Sequence, residues 1–216
     1  IIFPVDNSLS FPAISGASFY LQPSSRNNTQ DDREMIINKA DHSYWQAYWE
    51  NMAWKDGIDG WTTDASGTKC LFLPAGSTAE VQIQPMKSLT NKTIDLVFKV
   101  NHVSDYDTPV FSICDDPSSD SFNGIVVYPN RVVVYTNDQK STLVQSRNFR
   151  EGVRQSMQIV YANNYKGVGN TVTIYQNGVA QCEFQYETKD LVTNDGYIRM
   201  GNAFSDFYLY SMRVYE

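Results

Sequence analysis

The stretch VTIYQNGV, from Val172 to Val179, sets Val172 and Ile174 on one side of an extended chain, with Thr171, Thr173 and Tyr175 on the other. That period of two is the pattern of a strand with one buried face. Asn177-Gly178 then supplies the two positive-φ positions of a type I′ turn, the tight connection between antiparallel strands. Beyond the turn, Cys182, Phe184 and Tyr186 share a face opposite Gln181, Glu183 and Gln185. The class is therefore antiparallel β, in which function resides on loops and sheet faces.

The same alternation recurs upstream. Ala79, Val81 and Ile83 alternate with Glu80, Gln82 and Gln84, while Ile94, Leu96, Phe98 and Val100 alternate with Thr93, Asp95, Val97 and Lys99. Thr108 to Cys114 reads as a strand. Ile125 to Tyr128 and Val132 to Thr136 flank Pro129-Asn130-Arg131 as a hairpin with apolar residues on both faces. Met157, Ile159 and Tyr161 open another strand, and Tyr197 to Met200 and Phe207 to Tyr215 close the chain. The loops are too short for crossover helices, so two packed antiparallel sheets are expected, an all-β sandwich. Residues 18–216 form that domain, and residues 1–17 a linker or edge segment.

Asp31 to Lys55 supports two readings. Asp31 with Glu34 resembles a capping box, and Ile36, Ala40, Tyr44, Tyr48 and Met52 fall at helical spacing. Aromatic density at Tyr44, Trp45, Tyr48, Trp49 and Trp54, followed by the turns Asp56-Gly57 and Asp59-Gly60, favours strands.

A chain of 216 residues with 14 Tyr, 11 Phe and 4 Trp can fill a large two-sheet core. Its net charge of −7 opposes nucleic-acid and anionic-membrane surfaces, because both need clustered Lys and Arg. No apolar run is long enough to span a bilayer. The start Ile1-Ile2-Phe3-Pro4 lacks Met and a basic flank, and reads as a piece of a longer chain. Cys70, Cys114 and Cys182 are expected as buried reduced thiols.

The runs TIDLVFKV (Thr93 to Val100), Val110 to Cys114, GIVVYPNRVVVY (Gly124 to Tyr135), Gln158 to Tyr161, TIYQNGV, and YIRMGNAFSDFYLYSMRVY (Tyr197 to Tyr215) resemble, in order and spacing, the laminin-G-like, concanavalin A-like jelly-roll family. There an IYVNG-type hairpin precedes an IxIG strand and a closing LYxxRVY strand. FYLQPSSRNN from Phe19, Ala53-Trp54, Gly60-Trp61 and the Cys70 to Ile83 strand pair look like the variant built into bacteriophage tail, baseplate and fibre proteins. The resemblance implies a non-catalytic module of a virion, assembled in the bacterial cytoplasm with other subunits and active in virion architecture or attachment to a host-surface glycan. The alternative it implies is a glycan-binding or hydrolytic domain of a bacterial surface or secreted protein.

Laminin-G-like relatives often hold calcium on the rim. The resemblance directs that expectation to Asp105 and Asp107, and to Asp115, Asp116 and Asp120. Asn123, however, stands where calcium-binding members carry an aspartate, and no other cofactor is expected. Glycosidases of this fold carry alternating acids, and Glu183-x-Gln185-x-Glu187 is similar. Its outer acids lie about 13 Å apart along a strand, too far for a carboxylate pair acting on one bond. His42 and His102 lie in no nucleophile motif. Sugar rings stack on exposed aromatics beside amides and carboxylates, which makes Tyr106, Asn123 and Tyr165 candidate ligand contacts. Recognition is thus expected on loop rims, because the strand faces read as small polar or long charged groups.

Overall fold

The computed structural model describes residues 16–76, 80–86, 91–114, 124–136, 139–143, 150–162, 170–186 and 196–215. Two antiparallel sheets face each other. Sheet I runs, in spatial order, through β15 (Val179–Tyr186), β14 (Asn170–Gln176), β13 (Gln155–Ala162), β8 (Thr93–Asn101), β17 (Asp206–Tyr215), β6 (Lys69–Leu73) and β5 (Gly60–Thr63), with β1 (Ala17–Leu21) also on β17. Sheet II runs through β12 (Gln139–Leu143), β11 (Arg131–Thr136), β10 (Gly124–Tyr128), β9 (Phe111–Cys114), β16 (Gly196–Met200), β7 (Glu80–Met86) and β4 (Ala47–Glu50). A small pair, β2 (Ile36–Ile37) with β3 (Tyr44–Trp45), stands apart. The chain changes sheet from β4 to β5, β6 to β7, β7 to β8, β8 to β9, β12 to β13, β15 to β16 and β16 to β17, the alternation of a jelly roll.

The alternating patterns set the register. Ile94, Leu96, Phe98 and Val100 of β8 face Val81, Ile83, Ile113, Ile125 and Val127 of sheet II in one core. Phe98 and Phe207 stack there with centroids 6.1 Å apart. Asn177 and Gly178 take φ of 49° and 78°, as the hairpin requires. Gly124 has φ 151°, and a Cβ there would lie 2.3 Å from the Ile113 carbonyl oxygen, so β10 can approach β9 only as glycine. Cys70 and Cys114 are buried thiols, and burial pushes Cys70 up to about 12. The Cys182 side chain lies outside the described set.

The segment 31–55 contains no α-helix. Its turns close through Arg33 N to Gln30 O and Met35 N to Asp32 O, and the aromatic residues then enter β3 and β4. Long-range bonds outcompete helical ones: the Trp49 and Trp61 indoles donate to the Glu34 and Arg33 carbonyls at 2.6 and 2.7 Å. Buried Asp59 accepts from the amides of Ala53, Trp54 and Lys55 and closes the turn there. The expected strand from Thr108 begins three residues late, at Phe111. Pro109 has no N–H to pair, and the Asn202 amide takes its carbonyl at 2.7 Å.

Register places one set of loops at one end of the sandwich. Asn101 pairs with Asp206, Leu73 with Phe207, and Phe111 with both Val127 and Met200. The turns after β6, β8, β10, β14 and β16, and the approach to β13, therefore share a rim. Cross-loop bonds fasten it: Gly76 N to Ala203 O, Ser104 N to Phe204 O and Gly152 N to Val100 O.

Candidate functional site

Tyr106 lies on this rim, 45% exposed, in the loop between β8 and β9. Asp105 accepts from the Asp107 amide at 2.8 Å and the Thr108 hydroxyl at 2.6 Å, and these bonds, the Thr108 one foremost, hold its carboxyl below the ordinary value. Asp107 pairs with Arg131 at 3.0 Å, and the same guanidinium donates to the Tyr106 carbonyl at 3.0 Å. Arg131 also lies 4.0 Å over the Tyr128 ring, whose hydroxyl meets that of Tyr135 at 3.1 Å. Both aspartates thus have turn or ion-pair partners. Among the described residues, no three His, Cys, Asp or Glu side chains gather as a metal site would require. Asp115, Asp116, Asp120, Asn123 and Tyr165 lie outside the described residues.

The rim also holds a pair that sequence motifs did not reveal. His102 Nδ1 meets Asp206 Oδ2 at 2.6 Å, and the other oxygen of Asp206 accepts from the Ala75 amide at 2.7 Å. An oriented Asp–His pair is two of the three members of a nucleophilic triad, but among the described residues no hydroxyl or thiol bonds to His102. The pair joins three loops across 104 residues of sequence.

A groove of about 390 Å³ opens on the same rim, lined by Arg150, Val153, Gln155, Gln176, Asn177, Val179 and Gln181. Buried Gln155 and Gln176 are hydrogen-bonded to each other, and Gln155 also donates to the Arg150 carbonyl at 3.3 Å. Gln181 donates to the Val179 carbonyl at 3.0 Å. Val153 and Val179, 48% and 61% exposed, form apolar lips. An amide offers donors and acceptors together, matching hydroxyl groups that do both. In sequence Gln155, Gln176 and Gln181 read only as polar strand positions, and the register of β13, β14 and β15 brings them together.

The outer sheet faces depart from the sequence expectation. The outer side of sheet II carries Tyr48, Tyr128, Tyr135 and Tyr197 rather than mainly small polar or long charged groups. Tyr48 pairs across the ladder with Gln82, Gln82 with Arg199, and Arg199 with Ser112, a row on four adjacent strands. These tyrosines occupy the outward phase of strands whose inward phase fills the core, which a strand-by-strand reading did not assemble into one surface. The outer side of sheet I holds Asp64, Lys99, Arg154, Phe72, Tyr208 and Tyr210 beneath the β5–β6 turn. Phe72 stacks on Tyr208 at 4.4 Å, and Lys99 lies 4.1 Å over that ring.

No family model and no curated protein matches the chain. Solved structures match in fold. Domain 4 of AbnA, a GH43 extracellular arabinanase from Geobacillus stearothermophilus in complex with arabinotriose, has a TM-score of 0.64 at 12% identity, over 93% of this chain and 92% of that one. The botulinum neurotoxin serotype D binding domain has a TM-score of 0.58 at 11% identity, over 93% of this chain and 48% of that one. A structure reported as showing that cell entry of botulinum neurotoxin type C depends on two ganglioside molecules has a TM-score of 0.59 at 13% identity, over 93% and 48%. The chain spans about half the length of these neurotoxin domains, and the likeness establishes the antiparallel β-sandwich of a jelly roll.

Proposed function

We propose that the chain is a non-catalytic carbohydrate-binding module, one part of a larger protein or assembly, that receives a saccharide in the rim groove between Arg150 and Gln181. The groove carries the reading. Its volume falls within the range of small-ligand sites, and its walls combine convergent amides with apolar lips. A neighbour of the same fold holds arabinotriose, and another is described as depending on ganglioside interaction. Of the two settings the sequence implied, these neighbours favour a bacterial surface or secreted protein, since one is an extracellular arabinanase domain. They lend nothing to a virion role.

The test is a glycan array followed by calorimetry on the best ligand. Gln181→Ala and Arg150→Ala each remove a polar contact of about 0.5–1.5 kcal/mol, so affinity is expected to fall roughly 2- to 12-fold per substitution with the melting temperature held. Binding that both substitutions leave intact would remove the groove from the reading.

A further inference from the structure

Arg199 stands on the outer face of sheet II, half-buried between Gln82 of β7 and Ser112 of β9. Its Nε is buried without a hydrogen-bond partner. Among the described residues no carboxylate comes within ion-pair distance of it, and its guanidinium lies 5.9 Å from the Tyr197 ring. Arg26, Arg33 and Arg213 share the unpartnered Nε. Arg33 likewise pairs with no described carboxylate, but lies 5.7 Å from the Trp54 ring and donates to the Gln30 carbonyl at 3.4 Å. Four arginines differ in meeting a carboxylate. Arg26 pairs with Asp32, Arg131 with Asp107, Arg154 with Asp64 and Arg213 with Asp95. A partly desolvated guanidinium costs free energy unless a counter-charge meets it, and a chain of net charge −7 has carboxylates to spare. No described carboxylate reaches Arg199, although Glu50 shares this face two residues after Tyr48.

The surroundings indicate what would meet it. Tyr48, 48% exposed, lies two strands from Arg199 along the same row, and Gln82 stands between them. Tyr197 precedes Arg199 by two residues on the same face, because Ile198 between them is in the core. The strands are about 4.8 Å apart, so Tyr48 to Arg199 spans roughly 10 Å, the scale of two sugar rings, and buried Ser112 ends the accessible row. The row therefore offers a planar five-donor fork that fits a carboxylate, an amide for hydroxyl groups, and an aromatic ring to either side for the apolar face of a pyranose.

We propose that this face is a second binding site, whose ligand is a saccharide bearing a carboxylate, with the acid group on Arg199 and sugar rings against Tyr48 and Tyr197. The proposal rests on the reading of the chain as a glycan-binding module, but not on the rim groove. The two sites are separable, since one lies on β13, β14 and β15 of sheet I and the other on β4, β7 and β16 of sheet II.

The experiment is an array of uronate- and sialate-bearing oligosaccharides, each beside its carboxyl-reduced counterpart, probed with the full chain, with Arg199→Met, with Arg199→Lys and with Gln181→Ala. The expected result is retention on acidic saccharides that drops at least tenfold on the reduced counterparts and with Arg199→Met. Arg199→Lys, which keeps the charge and loses the fork, should fall between, and Gln181→Ala should retain acidic binding. Equal melting temperatures would show that each variant is folded. Neutral saccharides bound, and lost only with Gln181→Ala, would leave the groove standing and overturn this second site. So would acidic binding that survives Arg199→Met. A chain that retains no saccharide at all would remove both readings.

Discussion

The two outer sheet faces solve the same electrostatic problem differently. On sheet I, Asp64 Oδ2 accepts from the Tyr210 hydroxyl at 2.6 Å and lies 3.7 Å from Lys99 and 3.6 Å from Arg154. Its Oδ1 accepts from Ser66 Oγ at 2.6 Å and from the amides of Ser66 and Thr68 at 2.9 and 3.0 Å. Arg154 in turn donates to Thr68 at 2.7 Å and lies 4.2 Å over the Tyr210 ring. Every charge there has a partner within the chain. On sheet II, the Arg199 row repeats the ingredients of cation and tyrosine, but among the described residues no carboxylate lies within ion-pair distance of Arg199. A compensated cluster is complete as a structural element, whereas an uncompensated one is poised for something outside the chain.

The largest expected effect probes the compensated side. Asp64→Ala strips a carboxylate with 3% side-chain exposure from two cations, a tyrosine hydroxyl and two amides. The loss should be about 3 kcal/mol, the lower end for breaking a buried ion pair, because Arg154 retains 33% exposure. Urea unfolding measures it. A cost below about 1 kcal/mol would mean that the cluster is decoration and that the contrast between the faces has no energetic basis.

Acid sharpens the same point. Burial alone would raise the Asp64 carboxyl, but the bonds from Ser66, Tyr210 and Thr68 outweigh it and bring it from 3.8 down to about 2. A depressed folded value means that the unfolded state binds its proton first as pH falls. The stabilisation is therefore complete above about pH 4 and is lost as the pH drops through about 2. Asp64→Asn cannot titrate, so its unfolding free energy should fall less steeply than the parent's across that window. Parallel curves for parent and variant would assign the acid sensitivity to other carboxylates.

The fold was legible because strand alternation is local: Val172 to Val179 and Thr93 to Val100 state which side chains are buried, and Asn177-Gly178 states where the chain reverses. The segment around Trp45 and Trp49 was legible only through aromatic content, since the bonds that hold it come from Glu34, Arg33 and Asp59. The site was harder. Tyr106 was found on the rim as expected, and Asp105 and Asp107 lie beside it, but their hydrogen bonds to Thr108 and Arg131 follow from loop geometry that no motif encodes. The groove glutamines sit on three strands, and the row from Tyr48 to Ser112 draws one residue from each of four strands spread over 152 positions. Register across non-consecutive strands depends on the whole topology, which is where a reading along the chain stops.

The smallest expected effect tests the uncompensated side. If Arg199 has no partner within the chain, replacing it leaves no carboxylate or carbonyl stranded, which is the main reason that truncating a buried charge is costly. Methionine keeps the length of the side chain and can rest against the Tyr197 ring through its sulfur. Arg199→Met should therefore change the unfolding free energy by no more than about 0.5 kcal/mol, the range of substitutions that touch no essential partner. Arg154→Met, on the compensated face, removes a cation from Asp64 and a donor from Thr68 and should cost more than about 1 kcal/mol. Urea titrations of the two variants side by side measure the difference. Should Arg199→Met prove as destabilising as Arg154→Met, Arg199 would be a structural arginine like the rest, and the asymmetry between the faces would vanish.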